Sequence, residues 1–125
     1  MKYMAHFSFD ELDHSKHGYF TMLLSAPSTE DAVRQLRDKI MSIRNGTHAF
    51  DEMDEIFLDD IIEIDRFPEK PVLMRYESRD LADQSTLSSN PIEGEGLHVF
   101  HWWPKGKEQE YQKEKYNIEP FVRWH

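Results

Sequence analysis

Residues 18–46, Gly18-Tyr-Phe-Thr-Met-Leu-Leu-Ser-Ala-Pro27-Ser28-Thr-Glu30-Asp31-Ala-Val-Arg-Gln-Leu-Arg-Asp-Lys-Ile40-Met-Ser-Ile-Arg44-Asn-Gly46, decide how the chain folds. Tyr19 to Ala26 is a hydrophobic strand. Pro27-Ser28 is a sharp entry, and one amphipathic helix follows to Asn45. Ser28 suits the helix cap because its hydroxyl can accept from a first-turn amide. Asp31, three residues on, takes the place of the reciprocal partner in a capping box. Glu30 and Asp31 favour the positive end of the helix dipole, and Arg44 favours the other end. Val33, Leu36, Ile40 and Ile43 recur at steps of three and four, with Ala32 beside them, which makes one buried stripe. Asn45-Gly46 reads as the stop, with glycine in the left-handed conformation that ends many helices.

Working outward, residues 2–9 alternate. Tyr3, Ala5, Phe7 and Phe9 share one face, and Met4, His6 and Ser8 share the other, as in a half-buried strand. This strand and Tyr19–Ala26 form a hairpin with a polar connection. Apolar residues on both faces of the second strand predict that it is central in the sheet. Residues 61–67 and 72–78 read as a second hairpin around Pro68 and Pro71. Leu97 to Trp103 reads as a last strand. Lys105 to Tyr116 suits a short exposed helix, and the tail 120–125 is apolar enough to dock back on the body. The long polar stretch 79–96 is of a kind that often carries function or disorder. The expected fold is α+β: a single domain over residues 1–125, with an antiparallel sheet of about five strands packed on one main helix at 28–45. A ferredoxin-like arrangement is compatible with this pattern.

Composition narrows the function. The 125 residues suit one domain with a real core. The net charge of −9 argues against gripping phosphate backbones or anionic membranes, which need clustered Lys and Arg. It fits a basic protein partner, a cation, or simple solubility. There are no cysteines, so disulfides, thiolate catalysis and Cys-type zinc sites are excluded, and a reducing, cytoplasmic setting fits. No apolar run approaches the roughly 20 residues of a membrane span. The N-terminal residues alternate as a strand and lack a signal-peptide pattern. Asn45-Gly46-Thr47 is therefore a chance match to the glycosylation triplet.

Three constellations carry candidate chemistry. The first is Asp51–Glu69, where nine carboxylates meet one base, Arg66. Asp59, Glu63 and Asp65 would face one side of a strand, with Asp51, Asp54, Glu55 and Asp60 beside them. Such a cluster can meet a basic partner or hold a hard divalent cation, although no EF-hand spacing is present. The plainer reading is a solvated face or an edge strand protected by charge. The second is the set of histidines His6, His14, His17, His98 and His101, which with nearby carboxylates could serve a metal or acid–base chemistry. His98 and His101 should point to opposite faces of a strand. The third is Trp102-Trp103 with Phe121 and Trp124, an aromatic group suited to an interface anchor or to sealing the sheet.

No phosphate loop, nucleophile elbow, His-Glu-x-x-His or dinucleotide fingerprint occurs. The leading expectation is a small acidic cytoplasmic interaction protein without catalytic activity: an inhibitor, an immunity-type antidote or a nucleic-acid mimic. It would bind a basic partner through Asp51, Asp54, Glu55, Asp59, Asp60 and Glu63, with Trp102 or Trp103 anchoring a partner or a second copy of the chain. No cofactor is expected on this reading. The alternative is a small enzyme or ligand-binding domain that uses a divalent metal, held by histidines and carboxylates.

Overall fold

The computed structural model describes residues 1–12, 16–73, 76–79, 86–89, 96–100 and 120–124, with backbone alone for 76–79 and 86–89. In chain order the elements are β1 (Lys2–Glu11), β2 (His17–Ser25), α1 (Thr29–Gly46), β3 (Met53–Ile64), β4 (Tyr76–Arg79), β5 (Thr86–Ser89), β6 (Leu97–Phe100) and β7 (Val122–Arg123). The fold is α+β. Five strands make one antiparallel sheet in the order β2-β1-β3-β6, with β7 also paired to β3, while β4 and β5 form a separate two-stranded sheet.

The β1–β2 hairpin forms as the alternation predicts, in unbroken register from Lys2 opposite Ser25 to Asp10 opposite His17. Its place in the sheet differs from expectation. β2 lies at the sheet's end, and β1 and β3 are central. Apolar residues on both faces of β2 suggested a central strand, yet Leu23 is left 71% exposed. β2, α1 and β3 form a crossover with β1 between the two parallel strands. The second such crossover of a ferredoxin-like arrangement does not occur among the described residues.

The expected hairpin of 61–67 with 72–78 is not formed. The twelve residues of β3 run as one strand from Met53, and its last four pair with Leu97–Phe100 instead. Tyr76–Arg79 pairs with Thr86–Ser89. Acidic residues and a slip in register mask the alternation of β3 in sequence.

α1 covers one face of the sheet. Ala32, Leu36 and Ile40 are buried against Tyr3, Ala5, Phe7, Ile56, Leu58 and Ile61. The Ser28 hydroxyl accepts from the Asp31 amide at 3.2 Å and donates to its carboxylate at 3.3 Å, so the predicted cap is present. The stop is different. Gly46 ends the helix without a positive φ, and Thr47 does the capping: its amide and its hydroxyl both donate to the Ile43 carbonyl, at 2.9 and 2.8 Å.

The tail docks as its composition implies. Phe121 and Val122 are buried, and Val122 and Arg123 pair with Ile56 and Glu55. The helix holds the tail from above. The guanidinium of Arg37 lies 4.4 Å from the centre of the Phe121 ring, and that of Arg44 lies 4.3 Å from the Trp124 ring. Arg44 also donates to the carbonyls of Phe50 and Met53, so one side chain ties helix, turn and tail together.

Candidate functional site

β3 brings the acidic segment into the middle of the sheet, which removes the edge-strand reading of its charges. β1 pairs along one side of it, and β6 and β7 take the two ends of its other side. The register with β1 slips between His6, opposite Asp60, and Phe7, opposite Leu58, so Asp59 is an inserted, bulged residue. A bulge shifts the alternation by one. Asp59 therefore shares the face opposite α1 with Asp60, while Glu63 faces the helix side, where the Tyr3 hydroxyl meets it at 3.5 Å. Asp65 lies beyond the strand end and is exposed. The expected shared side of Asp59, Glu63 and Asp65 does not exist.

On the face away from α1, polar groups fill one half. His6 Nδ1 is 2.8 Å from Asp60 Oδ1, and their side chains are 3% and 0% exposed. Ser8 donates to Asp59 at 3.0 Å. Nearer the sheet's end, His17 meets Asp10 at 2.6 Å and Arg123 meets Glu55 at 2.7 Å, with Asp10 and Glu55 register neighbours. The other half of this face is apolar, with Met4 beside Ile62, Ile62 beside Val99, and Ile64 beside Leu97.

Asp60 is thus a buried partner of His6 and no part of an acidic surface, contrary to the sequence expectation. A sequence cannot show this, because Asp60 stands among acids that are reached by solvent. His6 was visible as one of the histidines of the candidate metal or acid–base set, on the face of the first strand shared with Met4 and Ser8. The signal that could have joined the two is the antiparallel register, which itself depends on the bulge. The burial of His6 and Ser8 also makes β1 two-sided at its centre rather than half-buried.

The pair is shut off from a substrate. A general base must come within hydrogen-bond reach of the proton it takes, and His6 is nearly fully covered. Ser8 donates to Asp59, and no nucleophile–base pair joins it to His6. His6 and His17 lie four residues apart along the sheet, roughly 13 Å, and His98 stands on the other face opposite Glu63. Among the described residues no three His, Asp or Glu side chains gather as a metal site would require. His14, His101, Trp102 and Trp103 lie outside the described residues.

The remaining acids converge at one end of the sheet. Asp10 lies opposite Glu55, Glu11 opposite Met53, and the Leu12 amide donates to the Glu52 carbonyl. This places Asp10, Glu11, Asp51, Glu52, Asp54 and Glu55 together, from two segments forty residues apart in sequence. Asp51 is held by His48 at 2.7 Å and Glu52 is exposed. Arg44 is turned inward onto carbonyls and Trp124, so it does not neutralise this end from outside.

No family model, curated protein or solved structure matches the chain. No helix among the described residues is long and apolar enough to cross a membrane.

Proposed function

We propose that the protein is a non-catalytic interaction module that offers the acidic end of its sheet to a basic protein partner, as an inhibitor, an immunity-type antidote or a nucleic-acid mimic would. The convergence of Asp10-Glu11 with Asp51–Glu55 carries this reading. Two separate acidic runs sum at one end of a protein whose net charge is −9. Such a field speeds encounter with a basic surface and repels phosphate backbones and anionic membranes. The cytoplasm is the proposed setting, which the lack of cysteine fits.

The test uses a fourfold variant, Asp10→Asn, Glu11→Gln, Asp51→Asn and Glu52→Gln, which leaves the buried Asp60 untouched. Wild-type protein should capture a basic protein from its own cells at about 50 mM salt and release it at about 500 mM, where charges are screened within a few ångströms. The variant, folded by circular dichroism, should not retain it. Equal capture by the variant, or capture indifferent to salt, would overturn the reading.

A further inference from the structure

We propose, resting on that reading of the acidic end, that Arg123 is a built-in competitor there: its guanidinium holds Glu55 where a basic side chain of the partner would sit, and binding releases it. Four side chains stand in register across four strands, on the face away from α1. His17 of β2 lies opposite Asp10 of β1, Asp10 opposite Glu55 of β3, and Glu55 opposite Arg123 of β7. Two carboxylates therefore sit side by side in the middle of the row. Like charges directly opposite each other are unfavourable, and a base at each end of the row offsets this. His17 Nδ1 is 2.6 Å from Asp10 Oδ1, and Arg123 Nη2 donates to Glu55 Oε1 at 2.7 Å.

The other bases at this end are placed differently. Arg44 is turned inward onto carbonyls and Trp124, His48 meets Asp51, and Lys16 is joined to Glu11 through the main chain. Arg123 makes on Glu55 the contact that a basic partner would make, a charged N–H on a carboxylate oxygen. The chain thus displays on itself the kind of group that Glu55 accepts. The pair is also built to open. The Arg123 side chain is 56% exposed and that of Glu55 is 23% exposed, so the base can leave into water while the acid keeps its place. Ion pairs with this much access to solvent are weak. The strand itself does not depend on the guanidinium. Phe121 and Val122 are buried, and the amides of Phe121 and Trp124 donate to the carbonyls of Ile56 and Asp54 at 2.6 and 3.0 Å. Arg123 can therefore swing away while β7 stays docked. The ligand that fits is a flexible Lys- or Arg-bearing segment whose cation reaches Glu55 and Asp10 together.

The probe is a fluorescent decalysine peptide, titrated against the full chain at about 150 mM salt, where the Debye length of about 8 Å damps distant charges. Arg123→Gln should bind it about two- to fivefold more tightly than wild type, the range that a weak ion pair spans. Lys16→Gln removes the same charge from the same end and should gain clearly less. In a Glu55→Gln background the gain from Arg123→Gln should fall to that of Lys16→Gln, because only distant charge is then removed. In wild type, saturating peptide should quicken solvent exchange of the Arg123 guanidinium protons, which needs no variant. Binding by Arg123→Gln alone would also support the competitor. Wild-type binding with equal gains in Arg123→Gln and Lys16→Gln, or with an undiminished gain in the Glu55→Gln background, overturns the competitor and leaves the acidic end as the binding face. Binding by neither wild type nor Arg123→Gln overturns both. Should Arg123→Gln unfold, the guanidinium exchange decides alone, and unchanged exchange on binding overturns the proposal.

Discussion

His6 Nδ1 and Asp60 Oδ1 lie 2.8 Å apart in the interior of the sheet, on the face that α1 does not cover. The second oxygen of Asp60 is buried and has no hydrogen-bond partner among the described residues. A carboxylate so placed depends on the imidazole for what compensation it has, since burying charge without a partner costs several kcal/mol.

Removing one member should therefore hurt more than removing both. Asp60→Ala and His6→Ala should each lower unfolding free energy by about 3–5 kcal/mol, the range for breaking a buried pair. The double variant His6→Met, Asp60→Leu should recover most of that loss, because apolar groups need no partner. Urea unfolding of the four proteins makes the comparison. A loss under about 1 kcal/mol for Asp60→Ala would mean that the pair is solvated rather than buried.

Gly46 gives a prediction of opposite sign to the sequence reading. A left-handed terminal glycine would make Gly46→Ala costly. In the structure Gly46 is the last residue of α1 without a positive φ, and an added Cβ would meet nothing within 4 Å. Gly46→Ala should raise stability by about 0.5–1 kcal/mol, through the lower entropy of the unfolded chain. Thermal unfolding reads this directly, and a drop in Tm would restore the left-handed stop. Thr47→Ala should have the contrary effect, since it removes the hydroxyl bonded to the Ile43 carbonyl.

The contrast shows which parts of this fold a sequence reveals. The Ser28 cap and the helix stripe are local patterns and were legible: of Val33, Leu36, Ile40 and Ile43 with Ala32 beside them, Ala32, Leu36 and Ile40 are buried and Val33 and Ile43 half-buried. The Tyr3–Phe9 alternation was legible as a strand, but the burial of His6 and Ser8 on its second face was not. The placing of β2 at the edge and β3 at the centre was not, because pairing partners far apart in sequence leave no periodic signal. The acidic end was half legible. The run at Asp51–Glu55 is plain in sequence, but its union with Asp10-Glu11 needs the β1–β3 register. Asp59 misled most: one bulged residue reversed the face of every side chain beyond it.

Arg44 links three elements, so its loss should be felt at the tail before the core. Its guanidinium lies over the Trp124 ring and donates to the Phe50 and Met53 carbonyls. Arg44→Met keeps the stem and deletes the charge and the donors. It should cost about 1–3 kcal/mol, from the lost charged hydrogen bonds and the cation–π contact. Hydrogen exchange should quicken first at the Trp124 amide, which donates to the Asp54 carbonyl at 3.0 Å. Uniform quickening across β1 and β3 would instead place Arg44 in the global core.

Gly96 should be the least replaceable glycine in the described chain. Its φ is +82°, and its carbonyl accepts from the amides of Asp65 at 2.8 Å and Arg66 at 3.2 Å, which seats β6 at the end of β3. A Cβ there would stand 2.8 Å from both the Cβ and the carbonyl oxygen of Arg66. Two penalties are combined, a left-handed backbone and a backbone contact, and substitutions separate them. Asparagine tolerates the left-handed region better than alanine, but it carries the same Cβ. If backbone strain dominates, Gly96→Ala should cost about 1–3 kcal/mol and Gly96→Asn clearly less. If the contact with Arg66 dominates, the two should cost the same, and both should expose the Asp65 and Arg66 amides to exchange. The contact is expected to dominate, because the oxygen it meets belongs to the main chain and cannot turn aside as a side chain would. Recovery of stability in Gly96→Asn would reverse that order.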